Sequence, residues 1–163
     1  MITVCIPCYN HERYVAEAII SCIKAGDNVT EILITDDNST DGSLDIINKF
    51  VQSFDRCTYY NPCPDVNIGA HERINLLIDK AETEWVAVLN SDDFYSPSTF
   101  ATLGRFVRHA QCDAFFGHIN IVNSNSELIG YKDPGTCLEY TVPRPSLLDE
   151  CVSSEDWLSL ILN

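Results

Sequence analysis

An α/β domain, a mostly parallel sheet with helices on both faces, is the fold class that three observations predict. Short apolar runs without polar alternation, ITVCI at 2–6, EILIT at 31–35 and EWVAVL at 84–89, read as strands buried on both faces. Between them lie segments whose apolar residues recur at helical spacing, an alternation that places helices on either side of the sheet. A polar cluster also follows directly on each of these strands: PCYN, DDNSTD and NSDD. Ligands of such sheets gather beyond the carboxyl ends of the strands, near a switch in strand order, so the three clusters are expected along one edge.

The elements follow in order. The first strand is predicted to end at Pro7. Residues 12–25 form a helix through Val15, Ala18, Ile19, Cys22 and Ile23, with Gly26 where a C-cap belongs. The strand at 31–35 is stopped by DDNSTDGS. After Gly42, the residues Leu44, Ile47, Phe50, Val51 and Phe54 trace a second helix, and CTYYN at 57–61 is a short third strand. A loop rich in Pro, Gly and Asn, NPCPDVNIGA, leads into a third helix with Ile74, Leu77, Ile78 and Ala81 on its apolar face. The strand at 84–89 ends in NSDD. Pro97 suits the first turn of a fourth helix carrying Phe100, Leu103, Phe106 and Val107. DAFFGHINIV and ELIGYK read as two strands joined by an Asn/Ser turn. Residues 133–146 hold three prolines and read as loop, and SSEDWLSLILN reads as a last helix.

With 163 residues, 45% apolar and 21% charged, the chain is expected to form one soluble domain with a real core. No apolar run approaches the roughly 18 residues that span a bilayer, and the first ten residues lack the basic start and long apolar stretch of a signal peptide. A cytoplasmic location is therefore expected. The formal charge is −14, from 24 acidic and 10 basic residues, which argues against nucleic acid as a partner. An anionic ligand would need a metal cation as mediator.

Cys5-Ile6-Pro7-Cys8 has the spacing of a thioredoxin-type redox centre. Such a pair sits at a helix N-terminus, which lowers the pKa of the first thiol; here Cys5 lies inside the first strand. The two cysteines are read as flanking the proline by accident. The eight cysteines are read mainly as small buried hydrophobes, with pairing or metal binding by Cys57 and Cys63 left open.

DDNSTDGS admits several readings. An EF-hand loop would need a bidentate Glu where Asn48 stands, and a helix where a strand precedes it. A phosphatase loop with a nucleophilic aspartate would need a carboxylate where Asn38 stands. A helix cap suits Asp41 but does not call for Asp36 and Asp37. NSDD could be a solvated turn, yet oxygen ligands of this kind suit Mg²⁺ or Mn²⁺ bridged to substrate phosphates.

Taken together, PCYN, DDNSTDGS, NIGAHERIN and LNSDD stand in an order and spacing that resembles the family 2 glycosyltransferases of the GT-A fold, over roughly residues 1–110. The resemblance implies a nucleotide-sugar-binding half at 1–110 and a partial, incomplete acceptor-side region at 111–163, as in a truncated form. It implies that Pro7 and Tyr9 cradle the donor's base, Tyr9 by stacking. Asp37 would hydrogen-bond that base while Asp36 supports the loop, and Arg73 would lie near the nucleotide. Asp92 would contact the ribose and share the metal, with Asp93 the direct ligand of Mn²⁺ or Mg²⁺. Asn90 departs from the commoner Asp of the motif.

The implied activity is metal-dependent, inverting transfer of a sugar from a nucleotide-diphosphate donor, by analogy UDP-linked, to an acceptor hydroxyl in polysaccharide or glycolipid synthesis. Peripheral association with the inner membrane face is left open. Glu155 and Asp156 match a later acidic motif in which the family carries its general base, and Asp156 is the candidate; equally, they complement a helix N-terminus that Ser153 or Ser154 caps. His11 and His118 are read as loop and strand residues, and His71 has no assigned role. The alternative function is a non-catalytic nucleotide-sugar-binding or interaction module.

Overall fold

The computed structural model describes residues 1–109, 114–116, 119–132, 139–140 and 150–152, which divide into two units, Met1–Val107 and the strands beyond it. In the first unit four parallel strands lie in the order β3-β2-β1-β4: β1 is Ile2–Cys8, β2 Val29–Asp36, β3 Cys57–Tyr59 and β4 Trp85–Val88. Helices α1 (Val15–Ile23), α2 (Ser43–Ser53), α3 (Ala70–Lys80) and α4 (Thr99–His109) connect and follow them. The α/β fold with a mostly parallel sheet is as expected.

Side-chain alternation on β1 and β2 divides the core between the two faces. Ile2, Val4, Ile6 and Cys8 of β1, with Ile32 and Ile34 of β2, pack with Val15, Ala18, Ile19 and Cys22 of α1, Ile47 of α2 and Phe100 of α4. Cys5 and Leu33 point the other way, onto Leu77 of α3. Every residue of β1 is buried, which is why its sequence shows no polar alternation.

β1 runs past the predicted end at Pro7, to Cys8. In this strand Thr3 and Cys5 bond toward the β4 side, whereas Cys8 accepts from Asp37 on the β2 side. Pro7 shares the parity of Thr3 and Cys5, and the β4 pairing ends at Cys5. The missing N–H thus faces a side with no ladder to break, which is how a proline enters a central strand.

Gly26 adopts φ +63 just past α1, as a helix-ending glycine should. Asp41 Oδ1 accepts the N–H of Ser43, the first residue of α2, at 3.0 Å, so it supplies an orphan donor's partner from one residue outside the N-cap position, Gly42. Pro97 lies in the turn before α4, two residues ahead of the helix. The apolar face of α3 is turned from the predicted stripe: Arg73 and Leu77 are its buried residues, and Ile78 is 43% exposed.

In the second unit the run 113–122 supplies two strands, β5 (Ala114–Phe116) and β6 (Ile119–Val122), belonging to different sheets. β6 pairs antiparallel with β7 (Leu128–Lys132) through a turn in which Asn123 Oδ1 accepts from the N–H groups of Asn125 and Glu127. β8 (Glu139–Tyr140) pairs with β7 inside the stretch read as loop, and β9 (Glu150–Val152) pairs with β5. The last predicted helix lies outside the described residues. No helix among the described residues is long and apolar enough to cross a membrane.

Candidate active site

The loops after β1, β2 and β4 meet at the carboxyl edge of the first unit's sheet, beside the switch in strand order between β1 and β4. The first two loops are closely joined. Asn10 donates its N–H to Ser39 Oγ (2.9 Å), and its side-chain oxygen accepts from the N–H of Thr40 (2.8 Å). His11 N–H reaches Ser43 Oγ (2.9 Å), Glu12 N–H reaches Asp41 Oδ2 (3.0 Å), and Glu12 Oε2 accepts from Gly42 N–H (2.8 Å). Asn10 and Asn38 both take positive φ, near +55 and +64, a conformation that Asn tolerates better than other side chains do.

Asp36 and Asp37 are both buried, with different surroundings. Asp36 Oδ2 accepts the N–H of Ser39 at 2.8 Å, and its Oδ1 has no partner among the described residues. Asp37 receives three donors: the N–H groups of Ile68 and Gly69, each at 2.8 Å, and Arg73 Nε at 2.8 Å. Burial alone would raise its carboxyl pKa, but Arg73 and the two N–H groups hold it below the ordinary value. Arg73 is fully buried; its remaining nitrogens donate to Asn61 Oδ1 and to the carbonyls of Cys63 (2.9 Å) and Val66 (2.7 Å). Asp37 and Arg73 together therefore fix the 61–69 loop and the start of α3 against the end of β2. Gly69 sits at φ +90, ψ 155, a region only glycine enters readily.

After β4, residues 90–93 form a turn closed by the N–H of Asp93 on the carbonyl of Asn90 (3.1 Å) and by Asn90 Nδ2 on Asp93 Oδ2 (3.2 Å). Asp92 and Asp93 are exposed, and Ser91 is buried with its hydroxyl 2.7 Å from His11 Nδ1. A cavity of about 260 Å³ opens here, and its walls include Pro7, Tyr9, His11, Asp37, Gly69 and Asp92. A larger concavity, about 660 Å³, lies at the far end of β2, where Arg56 is already bonded to the carbonyls of Gly26 and Val29. Its polar lining, Asp27, Thr30, Ser53 and Asp55 beside Arg56, stands at the opposite end of the strands from the PCYN, DDNSTD and NSDD loops.

Pro7, Tyr9, Asp37 and Asp92 are thus brought together on one cavity, with Tyr9 46% exposed beside it. Arg73, expected near the nucleotide, is behind the cavity wall and reaches it only through Asp37 and the 61–66 backbone. Asp93 shares the turn of Asp92. Its carboxylate and that of Asp92 offer oxygen donors with few protein partners. No group of three or more His, Cys, Asp or Glu among the described residues could hold a metal alone. Two carboxylates completed by ligand phosphates and water match the habit of Mg²⁺-type ions, so the donor set fits such a cation. Asp156, Glu155 and His118 lie outside the described residues; His71 is exposed on α3. Sequence reasoning missed Ser91, Ser43 and Asn67, whose side chains tie the loops, and assigned His11 no part in the site; only their positions within the polar clusters hinted at them.

Cys5 and Cys8 point to opposite faces of the sheet, as residues three apart in a strand must. Burial, then the charge of Glu31, pushes the Cys5 thiol up to about 12. Burial also raises Cys8 above its ordinary value, against hydrogen bonds with Ser91 and Ser43. Neither is a poised thiolate, which disposes of the redox reading.

Among known protein families, the model described as glycosyl transferase family 2 matches residues 3–150. The chain belongs to glycosyl transferase family 2. This family member is 27% identical over 139 residues to an uncharacterized glycosyltransferase of Haemophilus influenzae, covering 78% of the chain and 54% of the relative. It is 26% identical over 149 residues to the poly(ribitol-phosphate) beta-N-acetylglucosaminyltransferase TarS of Staphylococcus aureus, covering 90% and 25%. The crystal structure of S. aureus TarS 1–349 in complex with UDP superposes with a TM-score of 0.57 at 27% identity, over 66% of this chain and 32% of that one. The mannosyltransferase PcManGT of Pyrobaculum calidifontis, in complex with GDP-Man and Mn²⁺, has a TM-score of 0.59 at 19% identity, over 82% and 36%, a likeness of fold. The chain spans about half or less of the length of these relatives. The fold is that of the GT-A glycosyltransferases.

Proposed function

We propose that this family 2 chain binds a nucleotide-diphosphate sugar, by preference UDP-linked, and carries the donor half of a metal-dependent, inverting glycosyltransferase. The single observation behind the reading is the convergence of Tyr9, Asp37 and Asp92 from three neighbouring strand ends onto one cavity. The TarS complexes with UDP and UDP-GlcNAc lend support to a uridine donor. Tyr9 offers its ring to the base. Asp37 lines the base end of the cavity, oriented by Arg73. Asp92 meets the ribose, and Asp92 with Asp93 holds Mn²⁺ or Mg²⁺. The chemistry such an ion supplies is neutralisation of charge on the departing diphosphate.

In the transfer itself an acceptor hydroxyl forms a bond to the anomeric carbon as the sugar–phosphate bond breaks. The nucleoside diphosphate leaves with the bonding pair, and a carboxylate takes the hydroxyl proton. Asp156 is the proposed base, and a hydroxyl of a polysaccharide or glycolipid the proposed acceptor. A non-catalytic nucleotide-sugar-binding module, which would use the same cavity, is the second reading.

Calorimetry of the chain with uridine and UDP, each with Mn²⁺ or with EDTA, tests the binding claim. UDP is expected to bind far better than uridine only when the metal is present; no UDP binding by the folded chain refutes the reading. Release of UDP from UDP-GlcNAc, lost in Asp156→Asn, separates the transferase from the module, which binds without releasing.

A further inference from the structure

We infer that His11 is a positioning residue for the metal-facing turn 90–93, an inference that rests on the donor-binding reading above. Within that turn the side-chain and backbone bonds of Asn90 and Asp93 close on themselves. Ser91 alone among the described residues of the turn bonds outward, to His11 Nδ1 at 2.7 Å and to the Cys8 thiol. Ser91 is 1% exposed, so its hydroxyl has no water to fall back on, and it immediately precedes Asp92.

The other end of the tie is held firmly. His11 donates its backbone N–H to Ser43 Oγ, and that hydroxyl donates to Asp41 Oδ1 at 2.6 Å. The imidazole meets the Tyr14 ring edge-on, centroids 6.2 Å apart. The loops after β1 and β2, joined by the Asn10, His11 and Glu12 bonds, therefore reach the turn after β4 through the His11 ring, beside the Cys8 thiol at the end of β1. Carboxylates that hold a cation lose roughly 10–100-fold in metal affinity when the groups orienting them are removed. Without the His11–Ser91 bond, Asp92 and Asp93 remain present but are free to turn away from the position that the diphosphate and its cation require.

The test compares UDP affinity with Mn²⁺ and with EDTA, by calorimetry on the full chain. The ratio of the two is expected to fall roughly 10-fold in His11→Ala and in Ser91→Ala. The double variant should lose no more than Ser91→Ala alone, because the bond from His11 to the turn ends on that hydroxyl. His11→Asn, whose amide lies where Nδ1 does, should recover most of the ratio, and His11→Gln should not. An unchanged ratio in both single variants, or losses that add in the double, overturns the inference while leaving donor binding intact. Failure of the wild-type chain to bind UDP at all overturns both. Should His11→Ala not fold, Ser91→Ala, which deletes a single oxygen, carries the comparison.

Discussion

Replacing Arg73 with Met keeps most of the side chain's volume and removes the guanidinium from the first unit's most buried polar cluster. Four contacts vanish, to Asp37 Oδ1, Asn61 Oδ1 and the carbonyls of Cys63 and Val66. Their losses are unequal. Cys63 and Val66 are exposed, so water can take the place of the guanidinium at their carbonyls. Asp37 has little such recourse, since its side chain is 5% exposed at the cavity wall and keeps only the N–H groups of Ile68 and Gly69. Removing one partner of a buried ion pair costs about 3–5 kcal/mol. Rehydration of the loop carbonyls places the expected loss in the lower half of that range, still a large part of the roughly 5–15 kcal/mol that holds a domain together.

Urea unfolding followed by circular dichroism measures the loss. Arg73→Met combined with Asp37→Asn, which removes the stranded charge, should be more stable than Arg73→Met alone. The pH dependence has a definite sign. The Asp37 carboxyl is held below its ordinary value of 3.8 in the folded chain, so on acidification the unfolded chain takes up the proton first. Its contribution is therefore present above that pH and is lost as pH falls below it; Asp37→Asn should lack this part of the acid slope. A loss under about 1 kcal/mol for Arg73→Met, or a double variant less stable than Arg73→Met, would refute the assignment of the pair as the anchor of the 61–69 loop, because a broken buried pair has to cost more.

Gly69→Ala should destabilise by about 1–3 kcal/mol through backbone strain alone, since φ is +90 and no atom lies within 4 Å of the added methyl; thermal unfolding checks this. Tyr9→Ala should weaken UDP binding by about 1–3 kcal/mol in calorimetry, with Tyr9→Phe close to wild type, because the stacking face and not the hydroxyl carries the contact. Of Cys5, Cys8, Cys22, Cys57 and Cys63, Cys63 alone is exposed and should react with a thiol reagent in the native state. The others are buried, with Cys22 pushed up to about 12 and Cys57 to about 11; rapid labelling of Cys5 or Cys22, read by mass spectrometry, would contradict that packing.

β1 and the second half of β2 were legible because a strand covered on both faces writes its burial directly into an apolar run; β4, half-buried with Val88 43% exposed, was legible from its apolar run alone and not as the fully covered strand expected. PCYN, DDNSTD and NSDD were legible as the polar ends of those runs. Arg73 was harder. Read by hydropathy, the stripe of α3 runs through Ile74 and Ile78; the ion pair to Asp37, 36 residues away in sequence, turns the helix so that a charged residue faces inward and Ile78 outward. Periodicity assigns an arginine on this helix to solvent, so the NIGAHERIN motif marked the residue while its burial stayed illegible. His11 and Ser91 were hidden for a related reason: their bond spans 80 residues, and each alone is an ordinary loop residue. β5 and β6 were merged because both halves of 113–122 are apolar, and membership of different sheets is a tertiary fact. β8, with two residues, is too short to show a period.

Charge explains why the site is arranged as it is. The cavity wall holds Asp37 and Asp92 and no Lys or Arg, and the chain as a whole carries −14. Arg73, behind the wall, is already neutralised by Asp37, which leaves the pair with no net attraction for a diphosphate. An anionic donor brought to this edge would be repelled by the turn at 90–93 unless its charge were met there. The same two carboxylates that create the repulsion would, on the proposed reading, be the oxygen donors of a divalent cation, and Gly69 and Ala70, the N-cap and first residue of α3, bring the positive end of a helix to the cavity lining. Recognition of the base can then rest on Tyr9 and Asp37, whose orientation the Arg73 bond fixes before any ligand arrives. Binding of the diphosphate would then fall to the turn that His11 ties to the first loop, so the two halves of a nucleotide would be read by separately anchored loops on one sheet edge.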